Sequence, residues 1–270
     1  MEPKWIDTHA HYNHGRFKGK GKAFMTKAFD TTECIINVGT NTISNAQTFK
    51  MAQENDHIYG ILGFFPVDVW EVEPTLIKDG EANWNLFKSL LNHDKIVGIG
   101  EIGLDYNWDK VGNYLTGKEA RIMQQKWFIN QIDLAQEIGK PICVHSRDAE
   151  QDTRAIFKRY NHLNGVIHCF SYDASMAKFA IDKGLHLGFG GTSTYRASDD
   201  IRAAIKMCPL DRILLETDAP YLSPEPVRRE TNHSGNITYV IDNICQIKNL
   251  SREEVIEQTN KNAKALFGLK

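Results

Sequence analysis

The sequence predicts an α/β protein folded as a single (β/α)8 barrel of the TIM type. Short apolar runs rich in β-branched residues alternate with amphipathic stretches of helical periodicity. Near-continuous apolar strands are typical of a parallel sheet that helices cover on its faces. Eight such units within 270 residues match the size of one barrel. A doubly wound open sheet is the alternative fold. The predicted strands are Trp5–His9, Glu33–Val38, Ile58–Phe64, Ile96–Ile102, Pro141–His145, Val166–Cys169, Leu185–Phe189 and Ile213–Thr217.

The stretches between these strands carry helix patterns and end signals. The segment "GKEARIMQQKWFINQIDLAQEIGK" (residues 117–140) repeats apolar residues at i, i+3 and i+4. "DASMAKFAIDKG" begins with an acidic cap at Asp173 and ends in glycine. Ser251 and Glu254 form a capping-box pattern before a final helix. No linker or compositional break interrupts this succession, which predicts one domain over residues 1–270.

Composition restricts the class of protein. The chain is 41% hydrophobic and 24% charged, and its net charge of -2 gives no global basic field for a nucleic acid, so local patches would have to hold such a partner. The five cysteines include no CxxC pair and are expected to be reduced thiols. No stretch approaches the roughly 18–20 apolar residues of a membrane span, and the N-terminus lacks the apolar core of a signal peptide. We expect a cytoplasmic protein without a membrane or an obligate protein partner.

Ligand-type side chains occur where the predicted strands end, which is the face of a barrel that carries function. His9 and His11 lie two residues apart and therefore share one face of the first strand. Burying four imidazoles and two carboxylates together is too costly without a cation. The set is His9, His11, Glu101, His145, His168 and Asp218.

These six ligands exceed the needs of one tetrahedral ion and fit two divalent ions that share a carboxylate. Imidazole and carboxylate suit zinc, manganese, iron or nickel, and a carboxylate-rich site also suits magnesium. Two ions roughly 3.5–4 Å apart activate a water for phosphoryl or acyl displacement. The sequence therefore predicts a metal-dependent hydrolase.

Other residues are candidates for supporting roles. Glu216 shares a face with Asp218 and is expected to orient a ligand histidine or a water, or to be a buried structural carboxylate. The loop "GLDYNWDKVGNYLTGK" carries Tyr106, Trp108 and Tyr114, whose rings could stack on bases or simply pack within the loop. The candidates for phosphate contacts, with a solvated charge as the alternative, are Arg147, Arg228 and Arg229.

Six blocks in order resemble the signature blocks of the TatD-type metal-dependent deoxyribonucleases, within the amidohydrolase-like barrels. They are "DTHAH", "GEIGLDY", "KPICVHSRDA", "GVIHCFS", "ETDAPYL" and "RRETNHSGN". The resemblance covers nearly the whole chain, and the joint order and spacing of the blocks make it specific.

The resemblance implies a role for each ligand. His9 and His11 would hold the first ion, and His145 and His168 would hold the second. Glu101 would bridge the two ions. Asp218 would ligate the first ion and act as base or acid for the attacking water, so that Asp218 and Glu101 are the expected catalytic residues. Asn232 matches a substrate-loop asparagine. The implied reaction is hydrolysis of DNA phosphodiesters, often from the 3′ end, with magnesium or a transition metal.

One departure bears on the substrate. The family usually reads Gly-x-His-Pro after the third strand, and this chain reads "GFFP", with Phe65 at the histidine position. Phenylalanine can neither donate a hydrogen bond nor accept a proton. Metal binding does not require this position, but the substrate stays open. The leading hypothesis is a DNA exonuclease. The alternatives are a barrel hydrolase of a small ester, amide or aminoacyl bond, and a metal-binding scaffold that works through partners.

Overall fold

The computed structural model describes residues 3–270 and contains the predicted alternation of strands and helices. All eight predicted parallel strands are present. The strands are β1 (Trp5–Ala10), β2 (Thr32–Val38), β3 (Ile58–Leu62), β4 (Ile96–Asp105), β7 (Ile142–Arg147), β8 (Gly165–Ile167), β9 (His186–Phe189) and β10 (Ile213–Leu215), with a short hairpin, β5 (Lys110–Val111) and β6 (Leu115–Thr116), after β4. The helices are α1 (Gly21–Ala28), α2 (Thr42–Glu54), α3 (Gly80–Leu90), α4 (Gly117–Ile138), α5 (Glu150–Phe157), α6 (Ala174–Asp182), α7 (Asp199–Met207), α8 (Ile237–Lys248) and α9 (Arg252–Phe267).

The described chain divides into two compact units, and the prediction of one domain stays a prediction. Unit 1 comprises residues 3–37 and 166–270, and unit 2 comprises Val38–Gly165. In unit 1, β8, β9 and β10 pair in parallel in chain order, and β1 pairs in parallel with β2. A parallel bridge between Ala10 and Ala219 connects the end of β1 to the segment after β10. Helix α9 packs against β1 and β10.

In unit 2, β3, β4 and β7 pair in parallel, with α2 on β3, α4 on β4 and α5 on β7. Every residue of β4 is buried, as expected for a strand covered on both faces. The predicted end of this strand at Ile102 is wrong by three residues. Leu104 and Asp105 continue the ladder opposite Ser146 and Arg147 of β7, so Glu101 lies within the strand and not at its end.

The helix ends follow the local chemistry that the sequence indicated. The Asp173 carboxylate accepts from the Met176 N–H at 2.9 Å and caps α6. Ser251 and Glu254 form the predicted capping box of α9. Gly139 ends α4 in the left-handed conformation, with φ +68°.

Among residues 3–270, no helix combines the length and apolar content needed to cross a membrane.

Candidate metal centre

Three ligand-type side chains of unit 1 converge, and we call His9, His11 and Asp218 the first ligand set. The Nε2 atoms of His9 and His11 lie 3.1 Å apart. The Asp218 Oδ1 atom lies 3.2 Å from His11 Nε2 and 3.8 Å from His9 Nε2. Ligands about 2.0–2.2 Å from one ion, at tetrahedral or octahedral angles, are separated by about 2.8–3.6 Å. Two of the three separations lie within this range and the third exceeds it slightly, so the donor set fits a divalent cation.

Local backbone geometry positions the Asp218 carboxylate. Asp218 adopts φ +57° in the left-handed region, which aspartate tolerates better than most residues. Its N–H donates to the His9 carbonyl at 2.9 Å, and its own carbonyl accepts from the Tyr221 N–H at 2.8 Å. The end of β1 and the segment after β10 are thus hydrogen-bonded where their ligands meet.

Asp7 reinforces this junction, and the sequence reasoning did not single it out. Its buried carboxylate accepts from the His9 N–H at 3.2 Å, the Thr217 N–H at 3.1 Å and the Thr217 hydroxyl at 2.6 Å. Burial raises the pKa of Asp7 to about 6, although these hydrogen bonds oppose the shift. The even spacing of Asp7 and His9 in β1 was the available signal for it.

The electrostatics of the first ligand set favour an ionised Asp218. Burial by itself raises the pKa of this carboxyl group. The hydrogen bond from His11 and the charges of His11, His9 and His168 outweigh burial, and the pKa of Asp218 is lowered. An ionised carboxylate beside imidazoles has the charge state that a metal ligand or a proton acceptor requires.

His168 and Glu216 adjoin the first ligand set within unit 1. The His168 ring stacks on the His9 ring with centroids 3.9 Å apart and planes 10° apart. The Glu216 Oε1 atom lies 3.8 Å from His168 Nδ1 and accepts from the Cys169 N–H at 2.5 Å. Burial raises the pKa of Glu216 to about 8. This position is compatible with the predicted role of orienting a ligand histidine, which stays a prediction.

In unit 2, the His145 ring lies between two carboxylates. His145 Nδ1 is 2.9 Å from Glu101 Oε1, and His145 Nε2 is 3.2 Å from Asp105 Oδ2. Burial would lower the pKa of His145, but the hydrogen bonds with Asp105 and Glu101 raise it to about 9. Gly103 lets the strands approach here, because a Cβ atom at this position would lie 1.8 Å from the His145 carbonyl oxygen.

Asp105 is a site residue that the sequence reasoning missed. It is buried, and its backbone N–H donates to the Gln124 side chain of α4 at 2.9 Å. Its separation of four residues from Glu101 places both side chains on one face of β4, which was the available signal.

The predicted substrate contacts occupy different environments. Arg147 and Arg229 are exposed. The Tyr106 hydroxyl donates to Asp152 at 2.6 Å, and the Arg121 guanidinium lies 4.5 Å from the Tyr106 ring centroid. Burial, together with the hydrogen bond to Asp152, raises the pKa of Tyr106. None of these contacts tests the predicted roles.

Asn232 is buried, and its amide is engaged inside unit 1. Its nitrogen donates to the carbonyls of Thr217 at 2.8 Å and Tyr221 at 2.7 Å. Its oxygen accepts from the Asn236 amide at 2.9 Å and the His233 N–H at 3.0 Å. The side chain thus connects the segment after β10 to the following loop. Its predicted contact with substrate would require one of these bonds to be exchanged, and stays a prediction.

The parallel strands and the histidine–carboxylate sets that lie on them or directly after them are features of a barrel-type metal-dependent hydrolase. The family model described as TatD related DNase matches residues 6–268. The metal-dependent hydrolase YabD of Bacillus subtilis is 34% identical over 265 residues, covering 97% of this chain and 98% of YabD. YcfH of Escherichia coli, also described as a metal-dependent hydrolase, is 33% identical over 269 residues, covering 97% of this chain and 95% of YcfH.

A solved structure agrees with the sequence relatives. The crystal structure of YjjV, a TatD homologue from Escherichia coli, superposes with a TM-score of 0.84 at 27% identity and covers 98% of both chains. The chain therefore belongs to the TatD family of metal-dependent hydrolases. The predicted (β/α)8 barrel and the predicted family are both confirmed.

Proposed function

We propose that this TatD-family hydrolase cleaves DNA phosphodiester bonds and removes nucleotides from the 3′ end. The observation that carries the proposal is the close pairing of imidazole and carboxylate in both units, on residues of the family's motif blocks. His11 pairs with Asp218 at 3.2 Å in unit 1, and His145 pairs with Glu101 at 2.9 Å in unit 2. The family model's description as a DNase supports the same substrate.

We propose that two divalent ions, drawn from magnesium, manganese, zinc and nickel, complete the centre. The residues that would hold them are His9, His11, His168 and Asp218 in unit 1 and Glu101 and His145 in unit 2. Bound divalent ions polarise a phosphoryl oxygen and make a water molecule more acidic. Asp218 would accept the proton of the attacking water at its ionised carboxylate and return it to the leaving oxygen.

Exposed cations in each unit supply charge for a polyanionic substrate although the chain carries a net charge of -2. In unit 2, Arg147 ends β7 and Lys110 lies on the hairpin after β4, and both are exposed. In unit 1, the Arg228 guanidinium lies 3.8 Å from the Tyr195 ring centroid. Such local cations fit a substrate with several phosphates.

The test is degradation of single-stranded DNA labelled at the 5′ or the 3′ end. Purified protein is incubated with magnesium, with manganese or with EDTA. The double variant His9→Ala/His11→Ala lacks two of the proposed ligands. The matched control is His162→Ala, because His162 is an exposed histidine outside the ligand set. We expect the wild type and the control to produce a metal-dependent ladder of DNA fragments, and the double variant to produce none. Comparison of the 5′- and 3′-labelled substrates gives the direction of attack. Intact DNA in every reaction of a metal-loaded protein would refute the proposal.

One observation favours the second candidate, hydrolysis of a small ester, amide or aminoacyl bond. The Phe65 ring packs edge-to-face against the ligand His145, with centroids 4.7 Å apart, and places an apolar group beside the centre. Salt dependence separates the candidates. A nuclease that contacts several phosphates loses affinity steeply as salt rises, and a hydrolase of a small neutral substrate does not.

A further inference from the structure

Three rings of unit 2 form a row that leads away from a predicted metal ligand. The centroids of His145 and Phe65 are 4.7 Å apart, with ring planes at 62°. The centroids of Phe65 and Trp108 are 6.3 Å apart, with planes at 76°. Phe65 is half-buried, and Trp108 is 53% exposed. The row therefore extends from the half-buried imidazole to an indole with a large surface in contact with water.

Hydrogen bonds hold the backbone at the middle ring, Phe65, in place. The Phe64 N–H donates to the Gln131 side chain at 2.8 Å, and the Gln131 amide donates to the Phe64 carbonyl at 3.1 Å. The Phe65 N–H donates to the Thr40 carbonyl at 2.8 Å. Because the chain around Phe65 is anchored in this way, little conformational freedom remains to be lost when a ligand binds.

Asp105 contacts both the backbone of Trp108 and the ring of His145. Its Oδ1 atom accepts from the Trp108 N–H at 3.0 Å, while its Oδ2 atom lies 3.2 Å from His145 Nε2. The turn that carries the indole is thus fixed relative to the imidazole.

Positive charge accompanies the exposed indole. The Lys110 Nζ atom lies 5.7 Å from the Trp108 ring centroid. Arg147 is exposed and stands opposite Asp105 in the β4–β7 ladder. Exposed aromatic faces beside cations are the features by which proteins bind single-stranded nucleic acid, since bases stack and phosphates pair with the cations. An aromatic peptide could stack but has no phosphates to match Lys110 and Arg147.

We infer that Phe65 and Trp108 form a stacking platform for a nucleobase next to the scissile bond, with Lys110 and Arg147 on the adjoining phosphates. This inference rests on the proposed function and specifies its substrate as an unpaired DNA end. The base would lie on the indole face, and Phe65 would keep the indole at a set distance from His145.

Binding to a non-hydrolysable oligonucleotide tests the platform without catalysis. The magnesium-loaded protein is titrated into a labelled phosphorothioate hexathymidylate, and into a phosphorothioate hexamer of abasic sites with the same charge. Fluorescence anisotropy gives Kd for the wild type, Trp108→Ala, Trp108→Phe and Phe65→Leu. Ile122→Ala is the matched control, because Ile122 is 57% exposed on α4 of the same unit.

Trp108→Ala is expected to weaken binding of the thymidylate roughly 5- to 150-fold and to leave binding of the abasic hexamer unchanged. Trp108→Phe keeps a ring and is expected to retain most of the affinity, Phe65→Leu is expected to weaken only the thymidylate, and Ile122→Ala is expected to change neither hexamer. Equal weakening of both hexamers by Trp108→Ala, or no weakening, would overturn the inference.

The outcomes separate the platform from the nuclease activity. A wild type that binds the thymidylate more tightly than the abasic hexamer but cleaves no DNA retains the platform and refutes the proposed function. A wild type that cleaves DNA but binds both hexamers equally refutes the platform alone.

Discussion

Replacing Asp105 by asparagine is expected to destabilise the metal-free protein at pH 6 and to have little effect at pH 10. In the wild type, Asp105 Oδ2 lies 3.2 Å from His145 Nε2, and Asp105 Oδ1 accepts from the Trp108 N–H at 3.0 Å. Asparagine keeps the oxygen that Trp108 uses but loses the negative charge that faces the imidazole. The substitution therefore tests one of the two charged hydrogen bonds that His145 makes with Glu101 and Asp105.

The magnitude follows from the pKa of His145, which is raised from 6.5 to about 9. A raised pKa in the folded state stabilises the fold fully below pH 6.5, and this stabilisation is lost as the pH rises through 9. The difference between these two pKa values corresponds to roughly 3 kcal/mol in the free energy of unfolding. A hydrogen bond to a charged group contributes about 1.5–3 kcal/mol, so Asp105→Asn is expected to remove about half or more of this stabilisation at pH 6. At pH 10 the neutral imidazole can accept a hydrogen bond at Nε2 from the asparagine amide, and the loss disappears.

Urea unfolding in EDTA at pH 6, 8 and 10, followed by circular dichroism, measures the effect. Asp182→Asn is the control, because Asp182 is exposed and pairs with Lys178 one helical turn away on α6, a type of contact worth little. The difference between the wild type and Asp105→Asn should shrink as the pH rises. A difference that is the same at all three pH values would refute the assignment of this stabilisation to the Asp105–His145 contact.

Three further predictions concern single substitutions at buried positions. Asn232→Ala is expected to lower the free energy of unfolding by about 2–4 kcal/mol, because it leaves buried partners without their hydrogen bonds, and wild-type stability in urea would contradict this. Glu216→Gln is expected to flatten the pH dependence of the metal-free protein's Tm. The wild-type fold becomes less stable as the pH rises from about 4.5 to 8, because the pKa of Glu216 is about 8 in the folded state and the carboxyl group ionises more readily in the unfolded state. Parallel wild-type and variant profiles would argue against this. Gly103→Ala is expected to cost several kcal/mol more than Gly117→Ala, since both residues have positive φ but only Gly103 would place a Cβ against the His145 carbonyl. Equal losses in thermal unfolding would contradict that clash.

Much of the fold was predictable because its signals are local. The apolar runs of the eight parallel strands and the caps of α6 and α9 depend on residues within a few positions of one another. The first ligand set was predictable for the same reason, since the spacing of His9 and His11 follows from the period of a strand. The family blocks added the expected partners of these histidines, and the first ligand set places Asp218 beside them.

The supporting residues were less predictable because they act through contacts between distant segments. Asp7 meets Thr217 across 210 positions, and Asp105 meets His145 across 40. Phe65 was noticed in the sequence only as a departure from a pattern, and its edge-to-face contact with His145 became visible once β3 and β7 were placed within unit 2.

The sequence by itself determined the order of strands and helices, the side chains able to bind a metal and the family to which they belong. Each of these is encoded by residue type and short-range spacing. Only the tertiary structure decided the β4–β7 register that puts Gly103 opposite His145 and leaves the imidazole between Glu101 and Asp105. A register is chosen by packing along a whole strand, and a shift of one residue would turn these side chains to the opposite face.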